Sequence, residues 1–158
     1  MIQRKKLTKE QAIPKIRYYC SYQERSQAEV KEKLYSLGLW KQDVEEITSL
    51  MIEENYLNEE RFAMLFAGSK FRIRKWGKKK IKWELQQKKI SAHCMQKALE
   101  TIDQAEYLKT VSKLASAKWK ILESETSLII RQRKLQDYLL QKGYEYEVIK
   151  EVIPRDKS

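Results

Sequence analysis

Apolar residues recur three times along the chain at positions i, i+4 and i+9. The three sets are Val30, Leu34 and Leu39; Ile81, Leu85 and Ile90; and Leu135, Leu139 and Tyr144. An i, i+4 pair lies on one face of a helix, so each set predicts a short helix. Gly38, Lys89 and Gly143 stand at i+8, where we expect a left-handed residue to end the helix. Lys89 should cost about 1 kcal/mol there, because a side chain is strained in that conformation.

A longer helical pattern precedes each short helix, and a helix of medium length follows it. In the middle copy, the long helix is expected to bury Phe62, Leu65, Phe66, Ser69 and Ile73 as one stripe. The repeating unit predicts an all-α fold of three tandem three-helix repeats, in an elongated, curved solenoid-like array. The predicted repeats span residues 8–56, 57–103 and 104–153.

Polar residues mark where several helices begin. Ser26 and Glu29 form a capping-box pattern, and Asn58 precedes two acids, as an N-cap residue does. Ser91 can cap the helix that follows Ile90. Residues 127–130 also fit a strand, but no neighbouring segment offers a partner strand.

Composition removes several classes of protein. Four Gly and two Pro are too few for a β-sandwich, and no phosphate-binding or hydrolase motif occurs. No apolar run is long enough to span a membrane. Cys20 and Cys94 lack metal-site spacing, and His93 is the single histidine. We therefore expect a cytoplasmic protein with reduced thiols, no metal, no cofactor and no catalytic activity.

The net charge of +11 is concentrated in residues 70–89, the basic segment. This segment holds ten cations and one acid, Glu84; the cations are Lys70, Arg72, Arg74, Lys75, Lys78, Lys79, Lys80, Lys82, Lys88 and Lys89. A solvated helix face usually mixes both signs, because like charges repel. We interpret the segment as a binding surface for phosphates or for an acidic protein groove. The alternative is a face that only confers solubility.

One tryptophan sharpens this interpretation. Trp83 lies about 200° around the helix from Ile81, so it should point away from the local core among lysines. It is a candidate anchor residue, with packing between repeats as the alternative. Trp76 is expected to fill the interhelical turn beside Gly77. The other large aromatic residues expected to pack in the core or between repeats are Trp40, Trp119, Tyr18, Tyr19 and Phe66.

Three motifs follow one another along the chain: RSQAEVKEKL at residues 25–34, YLNEERFA at 56–63 and GKKKIKWELQQKKI at 77–90. In this order they resemble the RecX family, which regulates the RecA recombinase. The similarity extends from about residue 10 to residue 153. Asn58, Lys78, Lys80 and Lys89 replace the family's Asp, Pro, Arg and Gly, so the positive charge of the basic segment is kept or increased.

We expect a monomer. The resemblance implies a non-catalytic protein that lies in the groove of the RecA–single-stranded DNA filament. Such proteins block filament extension or promote disassembly, and inhibit ATP hydrolysis and strand exchange. The basic segment and Trp83 would form the contact face, with single- or double-stranded DNA as a secondary partner. Arg61 and Glu84 are expected to be structural pairing residues. The alternative function is a general nucleic-acid-binding helical module.

Overall fold

The computed structural model describes residues 6–156, and all regular secondary structure in that range is helical. The helices are α1 (Lys9–Tyr22), α2 (Gln27–Ser36), α3 (Lys41–Glu53), α4 (Glu59–Arg74), α5 (Lys78–Gln87), α6 (Ala92–Glu100), α7 (Gln104–Ile121), α8 (Leu128–Lys142) and α9 (Tyr146–Val152). The all-α class is therefore confirmed. Within the described range, no helix is both long and apolar enough to cross a membrane.

The lengths of the helices differ in part from the expected pattern. The first helix of each group of three is the longest, as predicted. The second is shorter than the third only in α1–α3, because α8 spans 15 residues and α9 only 7. The prediction of a short helix followed by a medium one is therefore wrong for the middle group, where α5 spans 10 residues and α6 spans 9, and for the last group.

The chain divides into two compact units. Of the described residues, the first unit comprises 6–63 together with Leu85–Met95, and the second comprises Met64–Glu84 together with 96–156. Helices α1, α2 and α3 contact one another within the first unit, and α7, α8 and α9 do so within the second. The repeat boundaries 8–56, 57–103 and 104–153 stay a prediction.

The core of the first unit forms where three amphipathic helices turn their apolar faces inward. Its fully buried side chains come from all three: Ala12 and Ile16, Val30 and Leu34, and Val44, Ile47 and Met51. These residues recur at three- and four-residue spacing, so each set occupies one helix face. Residues of the connections, Leu39 and Leu57, complete the core.

Aromatic rings form much of the core of the second unit. The ring of Tyr107 lies 5.7 Å from that of Phe71 and 5.3 Å from that of Tyr144, centroid to centroid. Tyr107 and Tyr144 are both fully buried. Buried aliphatic residues of α7, α8 and α9 surround them, among them Val111, Leu135, Leu139 and Ile149.

The three expected N-caps are confirmed, but the capping box at Ser26 forms only in half, because the Glu29 carboxylate pairs with Lys88 instead. The Ser26 hydroxyl accepts a hydrogen bond from the backbone N–H of Glu29 at 3.1 Å. The Asn58 side chain accepts from Arg61 N–H at 2.9 Å, and Ser91 accepts from Cys94 N–H at 3.3 Å. Ser127 caps α8, so the strand interpretation of residues 127–130 is wrong.

All three predicted helix-ending positions have the left-handed conformation. Their φ angles are +90° at Gly38, +59° at Lys89 and +97° at Gly143. In each case the next residue donates its N–H to the carbonyl five positions earlier: Leu39 to Leu34 at 3.4 Å, Ile90 to Leu85 at 3.1 Å and Tyr144 to Leu139 at 3.1 Å. This 6→1 hydrogen bond is the one that closes a Schellman motif.

The buried stripe predicted for α4 is wrong in part. Leu65 is 51% exposed and Ile73 is 74% exposed. The buried residues of α4 include two alanines, because a small side chain lets a neighbouring element approach closely. A pattern search that gives weight to large apolar residues misses this face, which consists of Phe62, Ala63, Ala67 and Phe71.

Two aromatic residues assigned to packing are exposed instead. Trp40 is 74% exposed at the N-terminus of α3, where the Lys6 ammonium lies 5.2 Å from its ring centroid. Tyr18 is 72% exposed on α1. Trp119 is buried as expected, and Tyr19 and Phe66 are half-buried.

Replacing Lys89 by Gly should stabilise the protein. Lys89→Gly should raise the free energy of unfolding by about 1 kcal/mol relative to Lys89→Ala, because glycine adopts φ +59° without strain. Both variants lose the lysine charge, so the difference between them measures only the backbone strain at residue 89. Urea denaturation of both variants provides the measurement, and equal midpoints with equal slopes would contradict the prediction.

Candidate functional site

The basic segment covers the C-terminal end of α4, a three-residue link, α5 and the two lysines that follow α5. Its residues up to Glu84 belong to the second compact unit, and those from Leu85 onward belong to the first. The contacts of the segment are therefore described separately for each unit.

In the second unit, the link between α4 and α5 is held by backbone contacts to the end of α8. Gly77 N–H donates to the carbonyl of Lys142 at 2.7 Å, and Lys79 N–H donates to that of Gly143 at 2.9 Å. A Cβ atom on Gly77 would lie 2.3 Å from the carbonyl carbon and oxygen of Gly143. Only glycine fits such an approach. We call this contact the glycine clasp.

Buried tyrosines complete the attachment of the link. The Tyr144 hydroxyl donates to the carbonyl of Lys75 at 2.7 Å, and the Tyr107 hydroxyl accepts from Lys78 N–H at 2.9 Å. The Tyr107 hydroxyl also donates to the carboxylate of Glu145. Burial, and then this carboxylate, raise the pKa of Tyr107 well above its usual range. The phenol therefore stays protonated at neutral pH and keeps its role as a donor.

The N-terminus of α5 has little capacity left to bind an anion. The first free N–H groups of a helix can bind phosphate. Here the N–H groups of Lys78 and Lys79 already donate to Tyr107 and Gly143. Two of the first N–H groups of this helix are therefore unavailable to an anion, and the exposed groups that α5 offers to one include the ammonium groups of Lys79 and Lys82.

Several of these side chains contact aromatic rings. Trp76 is half-buried and packs edge-to-face on Phe66, with ring centroids 6.5 Å apart. The ammonium groups of Lys70 and Lys80 lie 5.1 and 4.6 Å from the Trp76 centroid. This arrangement supports the structural role expected for Trp76, because the ring covers the link and holds two cations near its face.

Five cations of the basic segment are solvent-exposed in the second unit. Lys78 differs from them, because its ammonium group contacts Gln104 at 3.3 Å and lies 4.8 Å from the ring centroid of Tyr107. Trp83 is 56% exposed, while Ile81 and Leu85 on the opposite face are fully buried. The expected orientation of Trp83 is therefore confirmed. The exposed cations are Arg72, Arg74, Lys75, Lys79 and Lys82.

In the first unit, Lys88 has partners of its own. Its ammonium group forms an ion pair with Glu29 of α2 at 2.9 Å and lies 6.0 Å from the Phe62 ring. The charge of Lys88 is therefore balanced inside the protein, unlike that of the exposed Lys89. Lys88 serves the packing of this unit, and its place on the binding face stays a prediction.

Arg61 has the structural role expected of it. Its guanidinium group binds the carboxylate of Glu24 at 2.6 Å and the carbonyls of Asn55 and Tyr56 at 3.2 and 3.3 Å. These bonds join the end of α1, the link after α3 and the start of α4 within the first unit. The arginine of the YLNEERFA motif therefore orders a connection between helices.

The thiols and the histidine offer no catalytic arrangement within residues 6–156. Cys20 and Cys94 are both buried and free, and burial raises the pKa of Cys20 to about 11. Its thiol is therefore protonated at neutral pH and a poor nucleophile. His93 is exposed, and the described residues contain no group of three potential metal ligands.

Comparison with known proteins assigns the family. Residues 58–99 match the model "RecX, second three-helix domain", and residues 105–153 match "RecX, third three-helix domain". A regulatory protein RecX from Chlorobium limicola is 31% identical over 137 residues, which are 85% of this chain and 82% of the relative. The chain belongs to the RecX family. Its relatives are named as regulatory proteins.

A solved structure supports the same assignment. RecX from Lactobacillus salivarius is 26% identical, covers 92% of this chain and 94% of its own, and has a TM-score of 0.83. A RecX protein from Clostridium perfringens strain 13 is 30% identical over 132 residues. The chain spans about three fifths of that longer relative.

Sequence reasoning missed most of the residues that hold the basic segment in place. Tyr107, Tyr144 and Glu145 were not singled out for contact with α5, although Gly143 and Gly77 both were named. No local pattern links these residues, because their contacts join positions 29 to 69 apart. A signal existed in the glycine at 77 directly before a run of three lysines, in a chain with only four glycines.

The glycine clasp should be intolerant of any side chain. Gly77→Ala should lower the free energy of unfolding by about 2 kcal/mol or more, because the new methyl group meets backbone atoms at 2.3 Å. Gly68→Ala in α4 is the matched control. Its methyl group meets only the end of the flexible Arg72 side chain, and alanine favours the helix. Thermal unfolding of both variants measures the difference, and equal losses of stability would disprove the clasp.

Proposed function

We propose that this chain is a non-enzymatic regulator of RecA–single-stranded DNA filaments, and that it binds them through the basic segment. The observation that carries the proposal is the group of exposed cations on the end of α4 and on α5, held at one place by the glycine clasp. Membership of the family supports the choice of partner, and the cytoplasm is where such filaments form.

The physical argument for an anionic partner is that repulsion among these cations destabilises the free protein. Like charges at three- and four-residue spacing repel and destabilise a helix by a few tenths of a kcal/mol per pair. Lys79 and Lys82 stand three residues apart on α5 and are both exposed. An anionic partner removes this repulsion on binding and releases counterions. A filament groove lined by phosphates and acidic side chains meets that requirement.

The second candidate function is a general nucleic-acid-binding module. It is favoured by Trp83, because an exposed indole next to lysines can stack on an unpaired base. The filament regulator and the general nucleic-acid module differ in the amount of protein needed to inhibit ATP hydrolysis. A filament regulator should act at amounts well below those of RecA, whereas a competitor for DNA must saturate the strand before ATP hydrolysis falls.

Charge reversal on α5 tests the proposed contact face. The double variant Lys79→Glu, Lys82→Glu should abolish inhibition of RecA ATP hydrolysis on single-stranded DNA, because two attractive charges become repulsive. Circular dichroism should be unchanged, since both side chains are exposed. The measurement is a titration of each variant into the ATPase assay, with bare single-strand binding followed in parallel at two salt concentrations.

The control reverses the same number of charges elsewhere. Lys109→Glu, Lys113→Glu changes two exposed lysines of α7 and should inhibit as the unmodified protein does. Full inhibition by the α5 variant would overturn the assignment of the contact face. Inhibition that appears only when DNA is saturated would favour the general nucleic-acid module.

Trp83 should act as an anchor in the same complex. Trp83→Ala should weaken filament inhibition by about tenfold or more, as expected for an exposed indole that becomes buried at an interface. Trp40→Ala removes another exposed indole, one outside the basic segment, and should have little effect. The measurement is the concentration for half-inhibition at fixed salt. Equal values for the two variants would remove Trp83 from the contact.

A further inference from the structure

We infer that a groove between α1 and α2 in the first compact unit binds a short stretch of single-stranded nucleic acid. The groove has a volume of about 650 Å³ and lies well away in sequence from the basic segment. Its walls combine tyrosines with cations: Pro14, Lys15, Tyr18, Tyr19, Tyr22, Arg25, Lys33 and Leu37.

The charge of the groove selects an anionic ligand. Three of its eight lining residues, Lys15, Arg25 and Lys33, are cations, and none is acidic. Elsewhere in the first unit, several cations have carboxylate partners, such as Glu46 for Lys9 and Glu54 for Arg17. Glu29 and Glu32 act electrostatically on Tyr19 at the groove wall, but neither carboxylate lines the groove, so the lining itself is complementary to an anion.

Arg25 is fixed in place before any ligand arrives. Its guanidinium carbon lies 3.7 Å from the ring centroid of Tyr19, and its Nε–H donates to the carbonyl of Tyr19 at 3.0 Å. The ammonium group of Lys33 lies 5.7 Å from the same ring. Two cations are thereby gathered around one half-buried tyrosine, so less side-chain entropy is lost when they bind a phosphate.

The exposed tyrosines favour a single strand over other anions. Tyr18 and Tyr22 stand one helical turn apart on α1, about 6 Å along the axis, and are 72% and 73% exposed. Most of the surface of each side chain is therefore open to a ligand. Unpaired bases offer flat faces that stack on such rings, whereas the bases of a duplex are already stacked. An acidic peptide would use the cations but would leave the rings without a matching partner.

This inference adds a second contact to the proposed function, but it does not depend on the basic segment. The first unit alone carries the groove, so the two ideas can fail separately. A groove without affinity for single strands would leave filament inhibition through Lys79 and Lys82 intact.

The first experiment compares two probes on the unmodified protein and on two double variants at Tyr18 and Tyr22. The probes are fluorescein-labelled 20-mers, one of thymidylates and one of abasic sugar-phosphates, and anisotropy at 50 mM salt reports their affinity. Tyr18→Ala, Tyr22→Ala should bind the thymidylate probe about tenfold or more weakly. It should bind the abasic probe as the unmodified protein does, because only stacking has been removed. Tyr18→Phe, Tyr22→Phe keeps the rings and should restore binding.

Further variants separate the groove from general effects. Tyr146→Ala removes an exposed tyrosine of α9 and should leave both affinities unchanged. Lys15→Gln, Lys33→Gln should reduce the slope of log affinity against log salt by about 1.4, the value for two phosphate contacts on a single strand.

Two results would overturn the inference. One is a thymidylate affinity that is the same in the alanine double variant and the unmodified protein. The other is an equal loss for the thymidylate and abasic probes, which would mean that the rings do not stack on bases. Polyglutamate binding that depends on Tyr18 and Tyr22, while oligonucleotide binding does not, would assign the groove to an acidic protein segment instead.

Discussion

The backbone of Gly77 touches the backbone of Gly143, and the start of α5 is fixed by that contact. Neither position tolerates a side chain, since a Cβ atom on Gly143 would lie 2.3 Å from the Cβ of Lys80. The hydrogen bonds to Lys142 and Gly143 then orient the first turn of α5. The buried hydroxyls of Tyr107 and Tyr144 hold the same link. Because these contacts fix the first turn of α5, they also fix the positions from which Lys79 and Lys82 extend into solvent.

This attachment explains how a segment with so much like charge can be ordered. Repulsion among the cations opposes a regular helix, and the clasp supplies contacts that oppose this tendency. The ring of Trp76 holds two ammonium groups near its face, so their charges are partly balanced without any carboxylate. The remaining exposed cations keep their hydration, where water screens their repulsion. The segment is thus ordered by its backbone and tyrosine contacts, while its excess charge is carried by the ends of side chains that remain in water.

The sequence predicts the local features of the fold and misses those that depend on distant partners. The three left-handed helix ends and the caps at Ser26, Asn58 and Ser91 depend on neighbours within five residues, so local pattern identifies them. The orientation of Trp83 follows from helix period alone. The ion pair of Lys88 with Glu29 joins residues 59 positions apart, and composition gives no hint of it. The exposed positions of Trp40 and Tyr18 were missed because large aromatic residues are usually buried.

The two proposed surfaces of this RecX family member differ in the part of a nucleic acid that they can recognise. On α5, the N–H groups of Lys78 and Lys79 are already bonded internally, so the groups we propose for recognition there are exposed ammonium groups and one indole. Such a surface responds to charge density and tolerates protein carboxylates and phosphates alike. The groove of α1 and α2 combines a fixed guanidinium with exposed rings, so it requires unpaired bases. A filament of protein on a single strand offers both kinds of target, which makes two unlike surfaces in one small chain physically reasonable.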